Sequence, residues 1–150
     1  MGTESAMLVR QILSAKPEQK VLAVPPQTPV SEAIRILAEK RIGALVVSSD
    51  GRRAEGILSE RDIVRELAAR GAAILSEPVS GLMTRHLVTC TAADSARHVV
   101  EKMTTGRFRH MPVLEEGAMI GLISIGDVVK GRLDELTMEA NALSDMIRGH

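Results

Sequence analysis

The spacing of apolar residues along this chain switches between helical and strand patterns in a fixed order, and that order occurs twice. In the first half, apolar residues recur every three or four positions within 30–40, whereas the β-branched run at 44–47 is typical of a buried strand. The elements predicted on these grounds are a strand at 21–24, a helix at 30–40, strands at 44–47 and 56–58, and a helix from Ser59 to about Gly71. This half is therefore predicted to have the order β-α-β-β-α.

The second half follows the same order. Its predicted elements are a strand at 88–90, a helix that begins at Asp94, strands at 110–114 and 119–123, and a helix that begins at Ser124. The segment GILSERDIV at 56–64 recurs 65 positions later as GLISIGDVV at 121–129. Each repeat is too small to bury a good core alone, so we expect the two repeats to pack together and to leave clefts that suit small ligands.

Each repeat contains Gly-apolar-apolar-Ser-x-x-Asp-apolar, preceded by an apolar strand that reads GALVV at 43–47 or HMPV at 110–113. Two such motifs at matching spacing resemble the CBS (cystathionine β-synthase) domain. The resemblance implies an α/β (α+β) tandem pair with pseudo-twofold symmetry. The expected boundaries are a first motif at 7–71, a linker and lead-in segment at 72–83, a second motif at 84–137 and a C-terminal helix extension at 138–150.

Composition narrows the class of partner. Basic and acidic residues number 19 each, and this balance argues against a nucleic-acid partner, which usually selects a basic surplus. No apolar run approaches the roughly 20 residues that cross a bilayer, so no membrane partner is expected. Cys90 stands alone, which excludes an internal disulfide and favours a cytoplasmic location. Because Phe108 is the single aromatic residue, a planar ligand would have to lie between aliphatic side chains.

Ser59 and Asp62, like Ser124 and Asp127, form Ser-x-x-Asp at the start of a predicted helix. Taken alone, this spacing predicts a capping box, in which both side chains bond to free backbone N–H groups. The CBS resemblance implies a second role, because both acids stand where the family has an aspartate that binds ribose hydroxyls. The serines lie at helix N-termini, which favour phosphate. Capping and ligand binding are compatible.

Four further residues are candidates to contact phosphate, and two of them, Arg109 and His110, resemble phosphate-contacting residues of the family. Arg109 and His110 precede or begin the strand that lines the family's cleft, and an arginine binds phosphate oxygens through its two-pronged guanidinium. Arg107 and Arg61 are further phosphate candidates. A solvated basic surface is the alternative, above all for Arg107.

The two clefts are expected to be chemically unequal. The first repeat has Gly43 and Ala44 where the second has Arg109 and His110. One strong site is therefore expected, whose ribose is bound by Asp62 or Asp127. The predicted aliphatic slot for the base comprises Val24, Ile42, Ala44 and Met111.

A metal site and an enzyme centre are both disfavoured. His86, Cys90, Asp94 and His98 fall at intervals of four, but a strand at 88–90 would prevent them from sharing one helical face. No base stands near Cys90 in a pattern typical of a nucleophile. We therefore expect neither a metal nor a catalytic cofactor.

These observations predict a non-catalytic regulatory module that binds an adenine nucleotide between its two motifs and senses energy or redox state. AMP is the first choice, with NADH, ATP and ADP as alternatives, and the effector would be a separate protein. The resemblance also implies a homodimer that forms a four-motif disk.

The last helix has an apolar stripe beyond what the repeat requires. Its members, spaced alternately by four and three, are Val129, Leu133, Leu136, Ala140, Leu143 and Ile147. The stripe would either fold back on its own lobe or contact a second copy. A protein with empty clefts that works through dimerisation and this helix is the alternative function.

Overall fold

The computed structural model describes residues 6–16 and 21–148. Its helices are α1 (Val9–Ala15), α2 (Val30–Lys40), α3 (Glu60–Arg70), α4 (Ala96–Gly106) and α5 (Ile125–Ile147). Its strands are β1 (Ala23–Val24), β2 (Ala44–Val47), β3 (Gly56–Ser59), β4 (Cys90–Thr91), β5 (His110–Glu115) and β6 (Ala118–Ser124). The β-α-β-β-α order predicted for each half is confirmed, and the fold is a mixed α+β fold.

Two small sheets carry the two repeats. The first has the order β1-β2-β3, in which β1 pairs parallel to β2 and β2 pairs antiparallel to β3 with Leu45 opposite Leu58. The second has the matching order β4-β5-β6. Because β3 and β6 run directly into α3 and α5, Ser59 and Ser124 each end a strand and cap the following helix.

Several predicted boundaries are wrong by a few residues. The helix predicted to begin at Asp94 begins at Ala96, because Ser95 is the capping residue and accepts a hydrogen bond from the His98 N–H at 3.1 Å. Asp94 instead accepts from the Thr91 N–H in the preceding turn, at 2.8 Å. The segment predicted as a linker forms two short 3₁₀ helices, Gly71–Ser76 and Val79–Gly81. Helix α1 lies within the expected first motif at 7–71, and residues 1–5, 17–20 and 149–150 lie outside the described part of the chain.

The fold divides into two compact units that do not coincide with the sequence repeats. We call them the Asp62 unit, with described residues 21–88 and 114–120, and the Asp127 unit, with described residues 6–16, 89–113 and 121–148. Helix α1 stands at the start of the expected first motif but belongs to the unit that contains most of the second motif. Each unit has its own apolar core, with Leu45, Leu58 and Ile74 in the first and Met103, Met111 and Ile123 in the second.

A glycine begins the Gly-apolar-apolar-Ser segment of each repeat because a lead-in segment packs closely against it. The two lead-in segments are the stretches around Met83 and around Leu13. A Cβ atom on Gly56 would lie 2.5 Å from Met83 Sδ and 3.0 Å from the Thr84 carbonyl oxygen. On Gly121, a Cβ atom would lie 2.7 Å from Leu13 Cδ2. Both distances are too short for a side chain, so each glycine permits the lead-in segment to pack against its strand.

Helix α5 packs against its own unit, but not through the predicted stripe. Its buried residues are Val128, Gly131 and Glu135. Glu135 is satisfied by the Arg132 guanidinium and by the Met7 N–H, so this buried acid links the N-terminal segment to α5. The apolar side chains of the stripe remain exposed in the single chain, at Val129, Leu133, Leu136, Leu143 and Ile147.

Candidate functional site

The first Ser-x-x-Asp motif forms a complete capping box at the β3–α3 junction. The Asp62 N–H donates to Ser59 Oγ at 3.2 Å, and the Ser59 N–H donates to Asp62 Oδ2 at 3.1 Å. The Ser59 hydroxyl also donates to the same carboxylate oxygen at 2.9 Å. Asp62 is buried, with 11% of its side chain exposed. The capping prediction is therefore confirmed here, and the carboxylate is held in a fixed orientation.

The second motif repeats this geometry at the β6–α5 junction. The Asp127 N–H donates to Ser124 Oγ at 3.1 Å, and the Ser124 N–H donates to Asp127 Oδ2 at 2.9 Å. The Asp127 side chain is 26% exposed. Neither acid extends freely into bulk water, so both are fixed acceptors that a ligand hydroxyl could approach.

The two acids differ in the cation that pairs with them. Arg65, one turn further along α3, donates to Asp62 Oδ1 at 2.9 Å. Asp127 instead receives the ammonium of Lys16, whose Nζ lies 3.0 Å from Oδ2. Sequence reasoning missed Lys16, because it stands in a polar stretch and lies 111 positions from its partner.

The pKa of Asp127 shows that its surroundings favour the charged form of the carboxyl group. Partial burial acts to raise that pKa, since desolvation disfavours the carboxylate. The hydrogen bond from the Ser124 N–H and the contact with Lys16 outweigh burial and bring the pKa below its ordinary value. Asp127 is therefore a charged acceptor at neutral pH.

A backbone contact places the start of the central strand beside each capped helix. In the Asp127 unit, the Ile125 N–H donates to the Arg109 carbonyl at 2.8 Å. In the Asp62 unit, the Glu60 N–H donates to the Gly43 carbonyl at 3.0 Å. The Asp127 unit thus brings Arg109 to the N-terminus of α5, where the Asp62 unit has a glycine. The contact is made by the Arg109 backbone, and the residue itself is exposed.

Two more of the predicted phosphate residues, Arg61 and Arg107, lie on exposed surface. Arg61 is exposed in the first turn of α3. Arg107 is exposed and caps the C-terminus of α4 in the left-handed conformation, with a φ of 57°. Arg41 ends α2 in the same way, with a φ of 55°. This shared conformation is a feature of the repeat, so the placement of Arg107 has a structural reason independent of any ligand.

The four residues predicted to form the base slot are mostly core residues. Val24 and Met111 belong to the cores of their respective units, and Ala44 is buried in β2. Ile42 packs against the core of the Asp62 unit and is partly exposed. His110, at the start of β5, is partly exposed as well. Ile42 and His110 are therefore the more accessible of these strand residues.

Other chemistry finds little support in the part of the chain that the structure describes. No group of three or more His, Cys, Asp or Glu residues is placed to hold a metal ion there. Burial, with a contribution from Asp94, raises the pKa of the Cys90 thiol to about 11, so the thiol stays protonated at neutral pH. Within the described ranges, no helix is long and apolar enough to cross a membrane.

The chain is similar to proteins of one family over most of its length. The model of the CBS domain matches at residues 9–69 and again at 79–134. The CBS domain-containing protein CBSX3, mitochondrial, of Arabidopsis thaliana is 35% identical over 80% of this chain. The matched region spans 60% of that relative's length and 24% of the Arabidopsis CBSCBSPB5 protein.

Solved structures agree with this result. The CBS-domain containing protein ATU1752 of Agrobacterium tumefaciens has 44% identity and a TM-score of 0.79, over 85% of this chain and 94% of its own. A structure of CBSX2 in complex with AMP has 26% identity and a TM-score of 0.70, over 85% and 97%. A CBS domain pair of MJ0100 with 5-methylthioadenosine and S-adenosyl-L-methionine has 25% identity and a TM-score of 0.72, over 83% and 94%. This chain belongs to the CBS-domain family, as a tandem pair.

Proposed function

We propose that this protein is a non-catalytic regulatory module that binds an adenine nucleotide. AMP is the first choice, with ADP, ATP and NADH as alternatives, and the bound nucleotide would report energy or redox state. The observation that carries the proposal is the pair of oriented carboxylates, Asp62 and Asp127, each fixed by a capping box at a strand–helix junction. A carboxylate held in this way is suited to accept from ribose hydroxyls through charge-assisted hydrogen bonds.

The ligands of similar proteins support the choice of ligand class. AMP, 5-methylthioadenosine and S-adenosyl-L-methionine, which occur in the CBSX2 and MJ0100 structures, share an adenosine moiety. The choice among them depends on the group attached at the 5′ position. Arg109 beside the start of α5 favours an anionic group, and thus a nucleotide over an uncharged thioether.

The proposed role is regulatory because the polar groups of the two Ser-x-x-Asp motifs are engaged in helix capping and ion pairs. Ser59 and Ser124 cap helices, and the Cys90 thiol is buried and protonated. A regulatory ligand acts by binding two arrangements of a protein with unequal affinity. The effector that responds to the bound nucleotide would be a separate protein in the cytoplasm.

The direct test is equilibrium binding of AMP, ADP, ATP, NADH and S-adenosylmethionine to the purified protein. One adenine nucleotide should bind more tightly than S-adenosylmethionine. Asp62→Ala or Asp127→Ala should weaken the best ligand at least about tenfold, because a hydrogen bond to a charged group contributes roughly 1.5–3 kcal/mol. Melting temperatures of both variants would separate lost binding from lost folding.

Unchanged affinity in both variants, together with lower melting temperatures, would contradict the proposal. That result would mean that the two acids serve the helix caps alone. Turnover of the bound nucleotide would contradict the non-catalytic part of the proposal.

We also propose that the chain forms a homodimer that assembles a four-motif disk, and that the exposed stripe on α5 contributes to the contact between the two copies. Large apolar side chains that stay exposed along one helix commonly mark an interaction surface. The same stripe supports the alternative function, an interaction protein that binds no nucleotide.

Deletion of residues 138–150 distinguishes the two functions. A nucleotide sensor should keep its ligand affinity after the deletion, whereas an interaction protein should lose its partner. Light scattering would report the oligomeric state, and calorimetry would report the affinity. Leu143→Glu is a milder variant, since it adds charge to the exposed stripe without shortening α5.

A further inference from the structure

Lys16 contacts more than one acceptor in the Asp127 unit. Its ammonium donates to the Leu122 carbonyl at 2.9 Å and to Asp127 Oδ2 at 3.0 Å. The side chain is 31% exposed, so it is partly shielded from solvent. The ammonium is therefore held beside the Asp127 carboxylate by charge attraction and also by its hydrogen bond to the Leu122 carbonyl.

The hydrogen bonds at Asp127 show what this contact occupies. A carboxylate offers about two acceptor positions on each oxygen. Oδ2 already accepts from the Ser124 N–H at 2.9 Å and from Lys16 at 3.0 Å. A ribose diol that engages both carboxylate oxygens must therefore displace Lys16, because the Ser124 bond is part of the helix cap.

Asp62 is easier to free. Its Oδ2 accepts from the Ser59 N–H and from the Ser59 hydroxyl, and a hydroxyl can rotate toward another acceptor without moving the backbone. Its Oδ1 accepts from Arg65, whose side chain is 67% exposed. Exposed ion pairs of this kind contribute little, so Arg65 can turn into solvent at small cost.

Solvent access alone would favour Asp127 over Asp62 as the acceptor of the ribose. The Asp127 side chain is 26% exposed and that of Asp62 is 11% exposed. A ligand, however, competes with the partners of the carboxylate as well as with water. The shielded Lys16 ammonium holds two acceptors at once, whereas Arg65 holds one from an exposed position.

We infer that Lys16 is an internal competitor for the Asp127 carboxylate and closes the ribose position of the second repeat. The inference rests on the proposed function, since it concerns how that site is regulated. The ribose of the bound nucleotide is accepted by Asp62, and Asp127 becomes available when Lys16 is displaced. Because Lys16 follows α1 directly, occupation of Asp127 would also release the end of that helix.

The test is calorimetric titration of the full chain with AMP, which reports affinity and the number of sites. The wild type should bind about one nucleotide per chain, and Lys16→Met should add a second, because its competent fraction no longer depends on breaking the ion pair. Lys16→Arg retains the cation and should behave as the wild type. Arg65→Met is the matched control on Asp62 and should leave the number of sites unchanged.

Two carboxylate variants identify the sites. In the wild type, Asp62→Asn should weaken AMP at least about tenfold, and Asp127→Asn should change it less than about twofold. In the Lys16→Met background, Asp127→Asn should remove the added site. These comparisons in the wild-type background remain informative if Lys16→Met lowers stability.

Identical site numbers and affinities in the wild type and Lys16→Met would overturn the inference while leaving the proposed function intact. A loss of wild-type affinity in Asp127→Asn would overturn it as well. If AMP and the other adenine nucleotides bind to no variant, the proposed function fails and the inference fails with it. AMP binding to Lys16→Met alone would overturn the assignment of the wild-type ribose to Asp62.

Discussion

The Asp62 and Asp127 units contain the same capping box but surround it differently. Each box joins a strand to a helix, and each holds a carboxylate through a serine N–H. The central strand begins with Gly43 in one unit and with Arg109 in the other. The duplication has thus kept the backbone arrangement that fixes an acid and has changed the side chains around it.

The contacts of the lead-in segments also differ between the two units. Met83 and Thr84 lie against Gly56 in the Asp62 unit, whereas Leu13 lies against Gly121 in the Asp127 unit. The first contact includes a backbone carbonyl, which cannot move as easily as the end of a leucine. Equivalent substitutions should therefore have unequal effects, and these effects test the comparison.

The largest expected effect is on stability, from Gly56→Ala. Its new methyl group would overlap Met83 and press on the Thr84 carbonyl, and such overpacking costs roughly 1–3 kcal/mol. Gly121→Ala should cost less, because the Leu13 side chain can change rotamer. Denaturant unfolding of both variants measures the difference, and equal losses would contradict the distinction between the two lead-in segments.

The next effect concerns the positive charge of Arg109, which stands where the Asp62 unit has Gly43. In the Lys16→Met background, where the Asp127 position is open, Arg109→Ala should weaken AMP at the added site about tenfold, because one charge-assisted contact to phosphate is lost. It should leave adenosine, which has no phosphate, nearly unchanged. Arg107→Ala is the control, since Arg107 is exposed at the end of α4. If Arg109→Ala weakens both ligands equally, the phosphate role of Arg109 is wrong.

A smaller effect should follow removal of each capping hydroxyl. Ser59→Ala and Ser124→Ala should each cost about 1 kcal/mol of folding stability, the usual contribution of an N-cap. The two losses should be similar, because each serine hydroxyl also hydrogen-bonds to the aspartate of its own capping box. Thermal unfolding would measure both losses, and stability unchanged in either variant would argue against its capping role.

The smallest expected effect depends on pH. The pKa of Asp127 is lowered in the folded chain, so its contribution to stability is present above the ordinary carboxyl pKa of about 3.9 and is lost as pH falls through the lowered value. Lys16→Met should shrink this contribution. Urea unfolding at neutral pH and near pH 3 should therefore show a weaker acid dependence in Lys16→Met than in Lys16→Arg, and equal dependence would contradict the ion pair.

The sequence predicts the local parts of this structure well. The order of elements follows from apolar periodicity, and both capping boxes follow from Ser-x-x-Asp at a helix start. Those features depend on residues three or four positions apart. The placement of α1 with the second repeat depends on distant contacts, and no local pattern reveals it.

Contacts that involve polar or small residues were the hardest to foresee. Lys16 has the composition of a loop residue, and its pairing with Asp127 requires the fold to be known. Helix α5 buries Gly131 and Glu135, although an apolar pattern would have placed Leu133 and Leu136 inside. Glu135 can be buried because Arg132 and the Met7 N–H satisfy its carboxylate.

The central claim is that an acid of the capping box accepts the ribose hydroxyls of a nucleotide. The most direct test compares AMP with 2′,3′-dideoxy-AMP on the wild type and on Asp62→Ala, by calorimetry. The wild type should prefer AMP by at least about tenfold, and Asp62→Ala should bind both ligands with nearly equal affinity. If Asp62→Ala keeps the full preference for AMP, Asp62 does not contact the ribose and the account is contradicted.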